Sequence, residues 1–270
     1  MAVDRRPGAG AMGREHGRPR KGRPMTYCVG MRLDAGLVML ADTRTNAGLD
    51  NISRFSKMFH WEAPGERALV LMTAGNLSIT QGVVTELNTA VDRAAAGEDV
   101  ESVLTCASVF RAAQLAGEAM AKQQHRYREQ LEAQGAGADA TLLLGGQRAG
   151  GEHRLFLIYS AGNFIEATPD TPFFQIGEHK YGKPILDRVI TPATPIPTAL
   201  KAAFVSMDST LRSNLSVGMP LDLAVVRAGE LRLAARRRVE ADDPDFSRIS
   251  NAWSEALRDA FSRVSEVVLD

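Results

Sequence analysis

Cysteine is scarce in this chain. Only Cys28 and Cys106 occur in 270 residues, far apart, so no disulfide framework holds the fold together. Net charge is absent too. Lys plus Arg equals Asp plus Glu at 32 each, which gives no electrostatic footprint for nucleic acid or an anionic membrane surface. No apolar run approaches the ~18 residues of a membrane-spanning helix. The basic start, MAVDRRPGAGAMGREHGRPRKGRP, has no apolar core of a secretory signal. A cytoplasmic location follows by default. His60, His125, His153 and His179 form no metal-ligand spacing. GAGADATLLLGG lacks the Lys-Ser/Thr of a phosphate loop. No metal, organic cofactor or ATP site is expected, and any energy-driven unfolding falls to a separate ATP-dependent partner.

Hydrophobic content of 44% and charged content of 24% are those of an ordinary globular protein. The first 24 residues differ. They are rich in Gly, Pro and Arg, with Met1, Val3 and Met12 as their large apolar side chains. Such a segment buries too little apolar surface to offset its ordering entropy. Residues 1–25 read as a disordered leader, or as the product of a start assigned upstream of Met25. Residues 26–270 read as one domain.

From Met25 the pattern is periodic. MTYCVGMRL and GLVMLADTR flank Asp34-Ala35-Gly36 as a β-hairpin. A polar stretch, Asn46–Ser53, follows. Lys57–Trp61 and Ala68–Thr73 form strands around Pro64-Gly65. Helical spacing then runs over Asn76–Ala95 and Ser102–Gln134. Four short strands are expected at Ala140–Leu144, Arg154–Tyr159, Asn163–Ala167 and Phe173–Ile176. Helices follow at Tyr181–Arg188 and Thr198–Ser213. A second hairpin is expected at Leu221–Arg227 and Glu230–Ala235, then an amphipathic helix over Phe246–Val267. Strand blocks and helix pairs are segregated, which points to α+β layers rather than a doubly wound sheet.

Three residues at strand ends carry a coherent chemistry. They are Thr26, Asp42 in ADTR and Lys57 in FSKM. A threonine hydroxyl needs an adjacent base to act as nucleophile. An N-terminal α-amine, with a pKa of about 7.7–8.0, serves as that base near neutral pH. A lysine nearby lowers it further, and a carboxylate holds the lysine charged. Taken alone the trio is uninformative, since Asp42 and Lys57 equally suit an ordinary ion pair. Cys28 shares the Thr26 strand and reads as a packing residue.

The stretch MTYCVGMRLDAGLVMLADTRTNAG resembles the opening of proteasome β-type subunits, and most of all the bacterial branch called Anbu. In that superfamily a Thr begins the mature chain, A-D-[ST]-R ends the second strand and a Lys begins the third. Thr26, Ala41-Asp42-Thr43-Arg44 and Lys57 match in order. The core proteasome usually has one more residue between the Asp and the Lys. FSKMFHW, LMTAGNLSITQ and IGEHKYGKPILDR also resemble the bacterial branch, so the likeness extends over most of the chain.

The resemblance implies a four-layer αββα sandwich of the N-terminal-nucleophile hydrolase type and peptide-bond cleavage through an acyl-enzyme ester. It implies Thr26 as nucleophile, Lys57 and Asp42 as its tuning pair, and Arg44 as a buttress. The Gly75 amide is implied as an oxyanion donor; the bland alternative is a glycine that merely precedes a helix. Ser216 matches the serine that steadies the terminal amine in relatives, whereas Ser213 stands where their aspartate would be. Gly177 lies where relatives place glycines or a small hydroxyl residue. Relatives form rings or ring-like helices around peptide or unfolded-protein substrates, so a homo-oligomer is expected, with the long helix and the C-terminal helix as candidate interfaces. Two rivals stay open. One is an amidase acting on small amides. The other is a catalytically silent structural subunit in which residues before Thr26 block its amine.

Overall fold

The computed structural model describes residues 26–46 and 52–268. The expected leader, residues 1–25, lies outside them, as do residues 47–51 of the polar stretch. Two five-stranded antiparallel sheets dominate the described residues. The first contains β1 (Tyr27–Leu33), β2 (Gly36–Asp42), β10 (Phe173–Gly177), β11 (Leu221–Arg227) and β12 (Ala235–Val239), in the order β10-β1-β2-β11-β12. The second runs in chain order through β5 (Met58–Ala63), β6 (Arg67–Gly75), β7 (Ala140–Arg148), β8 (Arg154–Ile158) and β9 (Phe164–Glu166). β3 (Arg44–Asn46) and β4 (Ile52–Arg54) pair separately. The helices are α1 (Leu77–Ala95), α2 (Val109–Ala133), α3 (Lys183–Val189), α4 (Ile196–Ser213) and α5 (Pro244–Ser262).

Side-chain alternation explains why the central strands read as nearly continuous apolar runs. Successive residues of a strand point to opposite faces, and here both faces are covered. In β2, Val38 and Leu40 join a cluster with Ala199, Ala203 and Met207 of α4 and Phe246 of α5. Leu37, Met39 and Ala41 join another with Val70, Met72 and Leu143 of the second sheet. On that sheet's other side, Leu69, Leu71 and Leu142 meet Ile79 and Val83 of α1 and Ala112, Ala116 and Met120 of α2. Each such fully buried aliphatic side chain contributes on the order of 1.5–3 kcal/mol.

Some element ends shift, with α5 stopping at Ser262 rather than Val267 and β7 running on to Arg148 rather than Leu144, and three larger departures from the sequence expectation stand out. The second helix begins at Val109 rather than Ser102. Ser102 and Thr105 bond to each other and to nearby backbone groups, a local alternative to helix that hydroxyl residues favour. Ser108 then caps the true start through the Arg111 N–H. The last strand is Ala235–Val239, not Glu230–Ala235. Leu231 at φ 49° puts a left-handed kink in the Glu230–Ala234 stretch, and the paired strand instead carries Arg236, Arg237 and Arg238 at the sheet edge, where charge is tolerated. Third, the ends of the stretch expected to be merely polar, Asn46–Ser53, belong to β3 and β4.

The β6–α1 junction is fixed by one side chain. Asn76 caps α1, its side-chain oxygen accepting from the N–H groups of Ser78 at 3.0 Å and Ile79 at 3.2 Å. Its Nδ2 donates to the Gly137 carbonyl at 2.8 Å. Asn76→Ala removes both roles and is expected to lower stability by about 1–2 kcal/mol, read as the shift of the urea midpoint.

Candidate functional site

Thr26 sits immediately before β1 and is 5% exposed. It is held through its neighbours on two strands. The Tyr27 N–H donates to Asp42 Oδ1 at 3.1 Å, and the Thr26 carbonyl accepts from the Glu178 N–H at 2.7 Å. The Tyr27 side chain fixes the strand from below. Its hydroxyl is bonded to Ser206 of α4 and accepts from Gln175 Nε2 at 2.6 Å. Burial pushes that phenol well above its ordinary range, so it stays neutral and acts as an anchor.

Asp42 ends β2 and is fully buried. Lys57, just ahead of β5, reaches it with Nζ at 2.6 Å from Oδ1 and donates also to the Arg44 carbonyl at 2.7 Å. The second carboxylate oxygen accepts from the Gly218 N–H at 3.2 Å. Burial pushes the Asp42 carboxyl up from the usual carboxylate range, while Lys57 and the two backbone donors pull it back. A buried ion pair is tolerated when its remaining hydrogen-bonding capacity is met. Lys57 is itself fixed to the second sheet, because its carbonyl accepts from the Thr73 N–H at 2.9 Å. The pair therefore joins the two sheets next to Thr26.

Arg44 contributes in two ways. Its carbonyl holds Lys57, and its guanidinium donates to the Leu215 carbonyl at 2.8 Å, against Gly218. The 214–218 segment is thereby tied to the Asp42 cluster. Ser216 lies in that segment, with its N–H on Asn214 Oδ1 at 2.9 Å. Ser213, at the end of α4, is exposed. Cys28 is buried, its Sγ 3.7 Å from the Thr73 carbonyl. Desolvation raises its thiol strongly, with Asp42 adding to the rise. It lacks the thiolate character of a nucleophile and packs.

Two glycines are required by geometry. Gly75 closes β6 at φ 102°, and a Cβ there would meet the Asp139 carbonyl oxygen at 2.2 Å. Gly177 closes β10 at φ 84°, and its Cβ would lie 1.9 Å from the Thr26 carbonyl oxygen. Positive φ and close backbone approach both demand glycine. Sequence reasoning singled out Thr26, Asp42, Lys57, Arg44, Gly75 and Ser216. It looked to the Ile176–Gly182 stretch for a further polar contact without naming a side chain, and passed over Asn214; the structure bonds the Glu178 N–H to the Thr26 carbonyl and the Glu178 carboxylate to Asn214. Glu178 is 6% exposed, and its Oε2 accepts from Asn214 Nδ2 at 3.2 Å. Its position directly after Gly177 was the available signal.

Two packed antiparallel sheets with this arrangement at the head of β1 define a proteasome-like β-subunit. A structure titled Anbu (ancestral beta-subunit) from Yersinia bercovieri aligns at 44% identity over 91% of this chain and 100% of that one, with a TM-score of 0.83. Anbu from Hyphomicrobium sp. strain MC1 aligns at 46% identity over 90% and 100%, with a TM-score of 0.83. The helical assembly of the Anbu complex from Pseudomonas aeruginosa aligns at 47% identity over 90% and 98%, with a TM-score of 0.84. The chain belongs to the Anbu family. No family model and no curated protein sequence matches it.

Breaking the central pair leaves a charge buried without its partner. Lys57→Met is expected to cost about 3–5 kcal/mol, and the double variant Asp42→Asn/Lys57→Met distinctly less, in urea unfolding followed by circular dichroism.

Proposed function

We propose that this chain is a threonine-type peptidase subunit whose nucleophile is Thr26 once its amine is free. The observation that carries the reading is the buried Lys57–Asp42 pair, one hydrogen bond from the residue after Thr26. The Thr26 hydroxyl adds to the scissile carbonyl and passes its proton to the α-amine. Lys57 keeps that amine basic but mostly neutral through like-charge repulsion, and Asp42 holds Lys57 charged. The tetrahedral intermediate places negative charge on the former carbonyl oxygen. The Gly75 N–H, at the doorstep of the α1 N-terminus, is the donor assigned to it, and the helix N-terminus favours that charge. The C–N bond breaks as the amine returns the proton to the leaving nitrogen. Water then attacks the Thr26 ester by the same route and releases the acid.

The three apolar clusters, one between the sheets and one under each helix group, support reading the fold as the four-layer αββα sandwich of N-terminal-nucleophile hydrolases. The P. aeruginosa relative is titled as a helical assembly, which supports a homo-oligomer for this chain. Peptides or unfolded proteins are the substrate class, and a separate ATP-dependent unfoldase fits the lack of a nucleotide motif in the sequence.

Intact mass and N-terminal sequencing of the protein from its native cell test the reading first. A chain that begins at Thr26 is expected, together with cleavage of fluorogenic peptide amides that Thr26→Ala abolishes without lowering the melting temperature by more than a few degrees. A chain that retains residues ahead of Thr26, or a Thr26→Ala protein that still cleaves, overturns it. Hydrolysis confined to small non-peptide amides moves the substrate class instead.

A further inference from the structure

A backbone hydrogen bond brings a second acid to Thr26. The β1–β10 ladder ends at the pair Tyr27–Gly177, and the Glu178 N–H on the Thr26 carbonyl at 2.7 Å carries the contact one residue beyond it. Residues opposed across an antiparallel pair carry their side chains on the same face, and on that geometry Glu178, 6% exposed, lies on the Thr26 side of the sheet end. Asn214 occupies one of its oxygens. Among the described residues Glu178 makes no ion pair, and its second oxygen, Oε1, is not sealed from solvent.

Charge balance sharpens the point. Among the described residues, the deeply buried charged side chains at this end of the sheets are Asp42, Lys57 and Glu178, two acids against one base. Arg44 is only half-buried and its guanidinium is engaged by the Leu215 carbonyl. His179 is exposed, with its ring on the Gly177 carbonyl, and Asp222 is engaged by Ser56 and Arg238. A carboxylate so little exposed gains from a nearby cation. A free α-ammonium on Thr26 supplies one.

We infer that Glu178, held by Asn214, is the positioning residue for the Thr26 α-amine, taking the place of the acid that Ser213 does not provide. The inference rests on Thr26 as a terminal residue. It makes the amine a balance of opposed charges. Lys57 depresses its basicity and Glu178 restores it, while the carboxylate keeps the nitrogen aligned toward the hydroxyl.

The test reads the amine directly. In the full chain, a protease site placed ahead of Thr26 exposes the residue after folding, and competitive acetic anhydride labelling across pH gives the amine pKa by peptide mass mapping. A carboxylate near an ammonium favours the charged form, so Glu178→Gln is expected to lower that pKa by about one unit. Glu178→Asp restores part of the shift. Asn214→Ala lowers it less. An amine pKa unchanged in Glu178→Gln overturns the inference. If Glu178→Gln fails to fold, as shown by its circular dichroism, Asn214→Ala carries the test, and an unchanged pKa there overturns it too. The same samples assayed for peptide cleavage separate the two readings. A shifted amine in a protein that cleaves nothing leaves this assignment standing and removes the peptidase. Cleavage with an unmoved amine does the reverse.

Discussion

A lysine ammonium 2.6 Å from an aspartate carboxylate, both almost wholly out of water, is the contact around which this end of the molecule is organised. Neither charge is tolerable there alone. Their joint solvation is rebuilt from backbone, with the N–H groups of Tyr27 and Gly218 on the carboxylate and the carbonyl of Arg44 on the ammonium. Those three groups belong to the start of β1, the segment after α4 and β3. Satisfying one ion pair thus fixes where three separate pieces of chain must lie, and Thr26 is bonded to one of them.

The surrounding layers hold that arrangement in place. β2 delivers Asp42 to the end of a strand whose residues Leu37–Ala41 alternate between two apolar clusters. The second sheet delivers Lys57 through its hydrogen bond to Thr73 on β6. The helices stand outside the strands and close the apolar faces.

Much of this is legible in the sequence itself. The β1–β2 hairpin announces itself by alternation broken at Asp34-Ala35, and Asn76 marks the start of α1. Thr26, Asp42 and Lys57 are recognisable because each stands at a strand end within a resembling segment. What escapes has physical causes. The Ser102–Ser108 stretch has helical composition, yet its hydroxyls satisfy the backbone locally. β12 carries arginines because only one edge of it is paired, so its pattern resembles a surface loop. Glu178 and Asn214 are 36 residues apart, and only the packing of the end of β10 against the end of α4 brings them together. No local spacing encodes that meeting.

The way β2 is held has a consequence for how such a site changes over time. Strand register admits only whole-residue steps, and a single step would exchange the contents of two hydrophobic clusters at once. The location of Asp42 is in that sense discrete. Substitutions within the clusters loosen or tighten the grip on the strand, but they cannot slide the carboxylate by a fraction of a residue. Drift in sequence can therefore accumulate through most of the interior while the position of the chemistry stays put, until some change is large enough to lose it altogether.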